Sequence, residues 1–299
     1  MPPLVPTRTS QLLLRLTPAL FVLLWSTGFI GARLGMPYAP PLTFLTLRFV
    51  AVVAILAPLA WWLGSRWPSR AKDWLHLAVA GILMHGAYLG GVFVAIGLGL
   101  EAGLSALIVS LQPLLVAAVA GLLLGEHVTL RAWLGLALGL AGVALVLAGK
   151  LHGGIAASWG VLACLVALAG ITAGTLYQKR FCTSLDLCSG NLIQFAAAGI
   201  VCGAIGLPLE QRPVIWNGEL VFALAWLVLV LSLGAISLLY LLLRRGAASQ
   251  VASLFFLVPP TTALIAWPLF GERLGPLALL GMVLTVLGVA LAMQARRSA

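Results

Sequence analysis

The stretch Ser110-Leu-Gln-Pro113-Leu-Leu-Val-Ala-Ala-Val-Ala-Gly-Leu-Leu-Leu-Gly125-Glu126 decides how the chain is read. It is an apolar helical run interrupted by a proline and closed by Gly-Glu. The chain then repeats it. A shift of 146 positions carries Pro113 onto Pro259, Gly125 onto Gly271 and Glu126 onto Glu272. The same shift carries Gly135 to Gly281 and Gly142-Val-Ala-Leu145 to Gly288-Val-Ala-Leu291. Upstream it takes Gly28 to Gly174 and Phe49 to Phe195. One gapless offset therefore aligns both halves. A self-similarity of this kind is the first thing to settle in a sequence.

Composition bounds what the halves can be. Of 299 residues, 62% are hydrophobic and 8% are charged, and the mean hydropathy is +1.14. A water-soluble domain carries roughly 25% charge, so the chain reads as an integral membrane protein. The net charge of +10 would point to nucleic acid in a soluble protein. Here it marks basic loops at a membrane surface, and no nucleic-acid partner is expected. Cys164, Cys182, Cys188 and Cys202 lack C-x-x-C spacing and read as unpaired apolar residues rather than metal ligands. No cofactor is implied.

About 20 apolar residues cross a bilayer. On that measure ten spans are expected, near 17–35, 41–63, 73–97, 102–124, 129–149, 156–178, 187–207, 218–243, 247–270 and 275–294. The first is longer than a signal-peptide core and no small-x-small cleavage site follows, so it is read as a retained helix. The expected fold class is an all-α membrane protein of ten transmembrane helices, arranged as two inverted five-helix repeats around a central cavity. The repeats are residues 1–149 and 150–299. Inversion follows from counting: five spans per half is odd, so the second half enters from the other side. Orientation follows from Lys and Arg. With the N-terminus inside, twelve basic residues fall on inner segments: Arg8, Arg15, Arg66, Arg70, Lys72, Arg131, Lys179, Arg180, Arg244, Arg245, Arg296 and Arg297. Four (Arg33, Lys150, Arg212 and Arg273) fall outside. Both termini are expected in the cytoplasm.

Polar and helix-breaking residues within spans mark candidate function, because each is costly in lipid unless it faces protein or water. Pro113, Pro259 and Pro260 are read as hinge or gate positions. Each removes a helix hydrogen bond and frees a carbonyl one turn back. Arg48 is the basic residue deepest in a span, and three resolutions are open to it: snorkelling outward, pairing with a helix end, or binding a substrate carboxylate. Its repeat twin is Gln194. His85 and Tyr88 lie about one turn apart on one face of the third span, beside Gly86, Gly90 and Gly91. Trp25, Ser26, Gln112, Ser253 and Phe255 complete the candidate substrate-binding set. Gly125-Glu126 and Gly271-Glu272 read first as caps, each glutamate sitting at the positive end of the helix that follows it; a gate contact is the other reading.

Absences narrow the mechanism. All seven acids fall at span ends or loops, whereas ion-coupled carriers commonly use intramembrane carboxylates. No phosphate-binding loop is present, and Gly97-Leu-Gly99-Leu-Glu-Ala-Gly103 lacks the spacing and the preceding strand of a dinucleotide site. No arranged nucleophile or metal set points to an enzyme. The residues favour an uncoupled facilitator, with proton antiport as the alternative.

Ten spans in two inverted halves, Trp25-Ser26, Leu47-Arg48-Phe49, Pro113 with Pro259, and the two Gly-Glu pairs resemble the EamA-type drug/metabolite transporter superfamily. Within it the chain is most similar to the YddG-type amino-acid exporters of bacterial inner membranes. The resemblance implies export of amino acids, aromatic and other neutral ones, and of related metabolites, through a central cavity opened alternately to each side. The alternative it leaves is a proton-antiport efflux carrier for other small metabolites or toxic cations. The partners implied are a small amino-acid substrate and the lipid bilayer, with the chain a monomer.

Overall fold

The computed structural model describes residues 8–124, 130–150, 155–182, 186–235, 238, 254–272 and 275–295. Among these the chain is helical, with no strand. The helices are α1 (Arg8–Gly35), α2 (Pro41–Trp62), α3 (Ala71–Gly81), α4 (Tyr88–Gly97), α5 (Ala102–Val109), α6 (Gln112–Leu124), α7 (Leu130–Lys150), α8 (Ile155–Phe181), α9 (Leu187–Leu209), α10 (Gly218–Ala225), α11 (Val258–Phe270) and α12 (Pro276–Ala295). Six helical stretches are long and apolar enough to cross a membrane: 17–35, 41–62, 71–97, 158–181, 187–209 and 218–235. Four shorter apolar helices lie at 102–116, 133–145, 255–270 and 276–288. They fall where the fourth, fifth, ninth and tenth spans were expected. Large apolar side chains such as Val50, Ile200 and Leu264 are exposed on the flanks, as a bilayer-facing surface requires. Trp61, Trp62, Trp67, Trp74, Trp159 and Trp216 are exposed at helix ends or in loops, where amphipathic rings meet the headgroup layer.

Local chemistry sets the helix ends. Pro41 opens α2 at its first position, where a missing N–H costs nothing. Asp186 caps α9 by accepting the N–H groups of Cys188 and Ser189, each at 3.0 Å. Asn217 caps α10 through the N–H of Leu220 at 2.8 Å. Gly271 ends α11 in the left-handed region, φ 66°, which suits glycine alone among common residues without strain.

Two twin helix pairs pack against each other. Gly206, Gly203 and Gly199 of α9 meet Leu42, Thr46 and Phe49 of α2 in that order, so the two run antiparallel. In α7 and α12, Gly142 meets Gly281 and Gly288 meets Gly135. Those two contacts exchange under the 146-residue offset, since Gly281 is the twin of Gly135 and Gly288 the twin of Gly142. A side chain at Gly142 or Gly288 would strike backbone of the facing helix; small residues here let the backbones approach. Thr285 lies with its Oγ1 3.4 Å from the carbonyl of its own twin, Gly139.

The third and eighth spans are not uniform α-helix. Residues Ile82–Ala87, between α3 and α4, form a π-helix, and Trp226–Ala235, following α10, form a second. The offset carries 82–87 onto 228–233, inside the second. Each π turn packs beside the first helix of the opposite half: Leu231 lies against Gly28, and Met84 against Gly174, the twin of Gly28. The fourth span is also interrupted, at Ser110-Leu111 between α5 and α6, and Pro113 stands in the first turn of α6. The twin positions 255–257 form a 3-10 turn directly before α11, with Pro259 and Pro260 in its first turn. The prolines therefore begin new helical segments rather than kink continuous ones.

Candidate functional site

Between the halves lies a cavity of about 120 Å³. From the first half it is lined by Trp25, Gly28 and Phe29 of α1, Arg48 of α2, Met84 and His85 of the π turn, and Tyr88, Leu89, Val92 and Phe93 of α4. The second half adds Ile171 of α8, Phe195 of α9 and Leu231 of the second π turn. Two pairs of repeat twins face each other in this wall, Trp25 with Ile171 and His85 with Leu231. A larger groove of about 720 Å³ opens at one molecular end, between the 63–69 loop and Asp186–Cys188, away from these residues.

Of the candidate residues, Trp25, Arg48, His85 and Tyr88 come together in the cavity wall. Arg48 is only 6% exposed. Neither snorkelling to the surface nor pairing with a helix end is what the fold provides. Its Nε and Nη2 donate to the Ser232 hydroxyl at 3.3 and 3.0 Å. Ser232 in turn donates to the Leu227 carbonyl five residues back, at 3.0 Å, which is the spacing of the π turn that holds both. A cation from one half is thus held by a hydroxyl anchored on the irregular backbone of the other. The His85 ring stacks on Phe195, centroids 4.2 Å apart and planes within 18°. Gln194, the twin of Arg48, is buried next to Phe195 in α9. Trp25 is braced edge-on by Phe255 at 5.1 Å and packs on Phe21 at 5.3 Å.

The other candidates stand behind the wall. Phe255 touches Trp25 rather than the cavity. Ser26 is fully buried; its hydroxyl lies 2.7 Å from the Val22 carbonyl and 3.3 Å from that of Val258, joining α1 to the start of α11. Gln112 donates to Thr175 at 3.1 Å, one turn from Ile171. Pro113, Pro259 and Pro260 do not line the cavity. Ser253 lies outside the described residues.

Sequence reading missed Ser232, Phe195, Leu231 and Ile171. A signal for two of them was present: the offset pairs Leu231 with His85 and Ile171 with Trp25. An apolar residue whose twin is a candidate inherits its place near the line relating the halves. Ser232 carries no such signal, because its twin is Gly86.

One molecular end is closed by contacts between the halves. Glu210 accepts from the N–H groups of Leu42 and Thr43 at 2.9 and 2.7 Å, capping α2. Arg212 donates to the carbonyls of Met36 and Ala39 at 2.6 and 2.7 Å. Glu272 does not cap the helix that follows it. It accepts from the N–H of Ala102, at the start of α5 in the other half, at 3.1 to 3.2 Å, and pairs with Arg33 Nε at 3.6 Å. Burial raises the Glu272 pKa above the ordinary carboxylate value, against the pull of the Ala102 N–H and of Arg33.

Comparison with known proteins places this geometry. The model of the EamA-like transporter family matches residues 14–148 and again 158–294. The uncharacterized transporter YvbV of Bacillus subtilis is 30% identical over 95% of this chain and 91% of its own length. A probable amino-acid metabolite efflux pump of Escherichia coli is 26% identical over 90% of this chain and 91% of its own. A crystal structure at 22% identity superposes with a TM-score of 0.65, covering 94% of this chain and 97% of that one, and so shares the fold.

Proposed function

The chain belongs to the EamA-like transporter family, and on that premise we propose that this multi-pass membrane transporter exports neutral amino acids, aromatic ones included, and related metabolites through the cavity between its halves. The observation that carries the reading is the cavity wall itself: Arg48, His85 and Tyr88 from one half face Phe195, Ile171 and Leu231 from the other. A carboxylate is met by Arg48, and an apolar side chain by Trp25 and the phenylalanines. The Escherichia coli relative, a probable amino-acid metabolite efflux pump, agrees with that chemistry.

The topology proposed is ten spans in two inverted repeats, 1–149 and 150–299, in the bacterial inner membrane as a monomer with both termini cytoplasmic. Three findings support it. Twin helices α7 and α12 pack antiparallel through contacts that exchange under the offset. Segments expected outside meet one another, 36–43 with 210–219 and Ala102 with Glu272. Segments expected inside do likewise, Ser189 donating to the Arg66 carbonyl at 2.7 Å. Alternating access then follows from the two halves moving about a site they share. The carrier is an uncoupled facilitator, since none of the six acids among the described residues lines the cavity.

Counterflow in proteoliposomes tests the reading. Labelled phenylalanine is expected to enter faster when unlabelled phenylalanine is trapped inside, and an imposed proton gradient without a solute gradient is expected to drive no uptake. Alanine at Trp25 and His85 is expected to slow counterflow in folded protein. Unchanged rates in both variants would place the site elsewhere, and gradient-driven uptake would favour proton antiport.

A further inference from the structure

The permanent charge in the cavity wall is Arg48, and its surroundings decide what it can hold. Two of its five N–H groups go to one neutral hydroxyl, that of Ser232. That hydroxyl gives its own proton to the Leu227 carbonyl. A guanidinium withdrawn from water with a neutral acceptor as its partner lacks the negative charge that normally offsets desolvation. Among the described residues no carboxylate lines the cavity. Of the chain's seven carboxylates, six fall among the described residues and all six stand at helix ends: Asp73, Glu101, Asp186, Glu210, Glu219 and Glu272. The seventh, Glu126, lies outside the described residues. The rest of the wall is apolar or aromatic, and about 120 Å³ is a little below the ~150 Å³ of an apolar cavity known to hold benzene. The cavity therefore offers a small, largely apolar space beside an under-neutralised cation.

Resting on the export reading above, we infer that the site recognises its substrate by the carboxylate and the apolar body and not by the ammonium, so that apolar carboxylates with no α-amino group are carried by the same site. A carboxylate entering the cavity meets guanidinium N–H groups for which the described residues supply no acceptor besides Ser232, and it can accept from them in bidentate fashion. An ammonium meets a like charge in Arg48 and no carboxylate among the described residues. Amino acids bind in spite of that group, and their deaminated counterparts bind without it.

Three ligands of one shape separate the contributions: phenylalanine, 3-phenylpropionate, which lacks the amine, and phenethylamine, which lacks the carboxylate. The experiment titrates each against the thermal midpoint of the full-length protein in detergent. The expected result is stabilisation by 3-phenylpropionate at concentrations equal to or below those needed for phenylalanine, and by phenethylamine only at concentrations about 30-fold higher or more. Arg48→Gln keeps a donor for Ser232 and removes the charge; it is expected to weaken 3-phenylpropionate by a similar factor. Stabilisation by phenylalanine but not by 3-phenylpropionate overturns the inference and leaves the export reading standing. So does equal binding of phenethylamine. No shift with any of the three also overturns it, as does an Arg48→Gln protein that binds 3-phenylpropionate unchanged. If the variant is not recovered monodisperse, the wild-type series decides alone. Absence of phenylalanine counterflow alongside a 3-phenylpropionate shift fails the export reading and leaves this inference intact.

Discussion

Replacing Glu272 by alanine tests whether the closed end is held by a latch between the halves. The carboxylate caps the first turn of α5 through the Ala102 N–H, an interaction worth about 0.5–2 kcal/mol at helix N-termini. Its second contact is Arg33, 3.6 Å away. The bare Coulomb energy at that distance is about 4–5 kcal/mol for an effective dielectric of 20. The Arg33 side chain is 34% exposed, so solvent screening reduces this to at most about 1 kcal/mol. Burial of the carboxylate, visible as its raised pKa, works against both. The net loss in Glu272→Ala is then about 1–2 kcal/mol, or about 5–30-fold in the open-to-closed ratio at this end. Amide hydrogen exchange at Thr43, whose N–H is held across the same end by Glu210, reads that ratio, because opening frees the N–H. Exchange is expected to accelerate by that factor, with more modest change in Glu272→Gln, which keeps an acceptor and loses the buried charge. The sign of the pH effect also follows. A carboxyl with a raised pKa in the closed form takes up a proton on closing, so closure is favoured as pH falls through that value and loses this contribution above it. Unchanged Thr43 exchange in Glu272→Ala would refute the latch.

Ser232→Ala leaves Arg48 without its acceptor and is expected to cost about 1–3 kcal/mol, read as a lowered thermal midpoint in detergent. Gly142→Leu drives a side chain into the backbone of Gly281; Gly288→Leu does the same against Gly135. Overpacking of this kind costs about 1–3 kcal/mol, so both variants are expected to lose monodisperse protein on size exclusion to a similar degree, and tolerance of both would dispose of the close α7–α12 contact. Asp186→Ala removes the α9 cap at a cost of about 1 kcal/mol. Burial alone would raise the Asp186 pKa, but the N–H groups of Ser189 and Cys188 hold it below the ordinary value. Its stabilisation is thus present at neutral pH and is lost as pH falls through the depressed value, so the gap in midpoint between wild type and variant is expected to close on acidification.

The family was legible in the sequence because the repeat is gapless and because polar residues within long apolar runs are few. Arg48, His85, Tyr88 and Trp25 stood out on cost alone, and the fold brings those four to one cavity. What stood behind the wall was not separable from what lined it. Ser26 and Gln112 are as polar as the lining residues, but carbonyls and hydroxyls that only the folded chain supplies absorb them. Glu272 read as a local cap because its true partner, Ala102, is 170 residues away. The π turns left no trace in hydrophobic periodicity. Where both faces of a span are apolar, one added residue in a single turn shifts no polar residue into view.

Those twin π turns also constrain the register between the halves. A π turn takes up one residue more than the α turn it replaces. Had one half acquired its extra residue alone, the register between the halves would slip by one across the third and eighth spans. It does not: Phe49 pairs with Phe195 before them and Pro113 with Pro259 after them, both at the same separation. The widened turn thus occupies equivalent positions in both halves, and side chains such as His85 and Leu231 differ there while the backbone irregularity is shared.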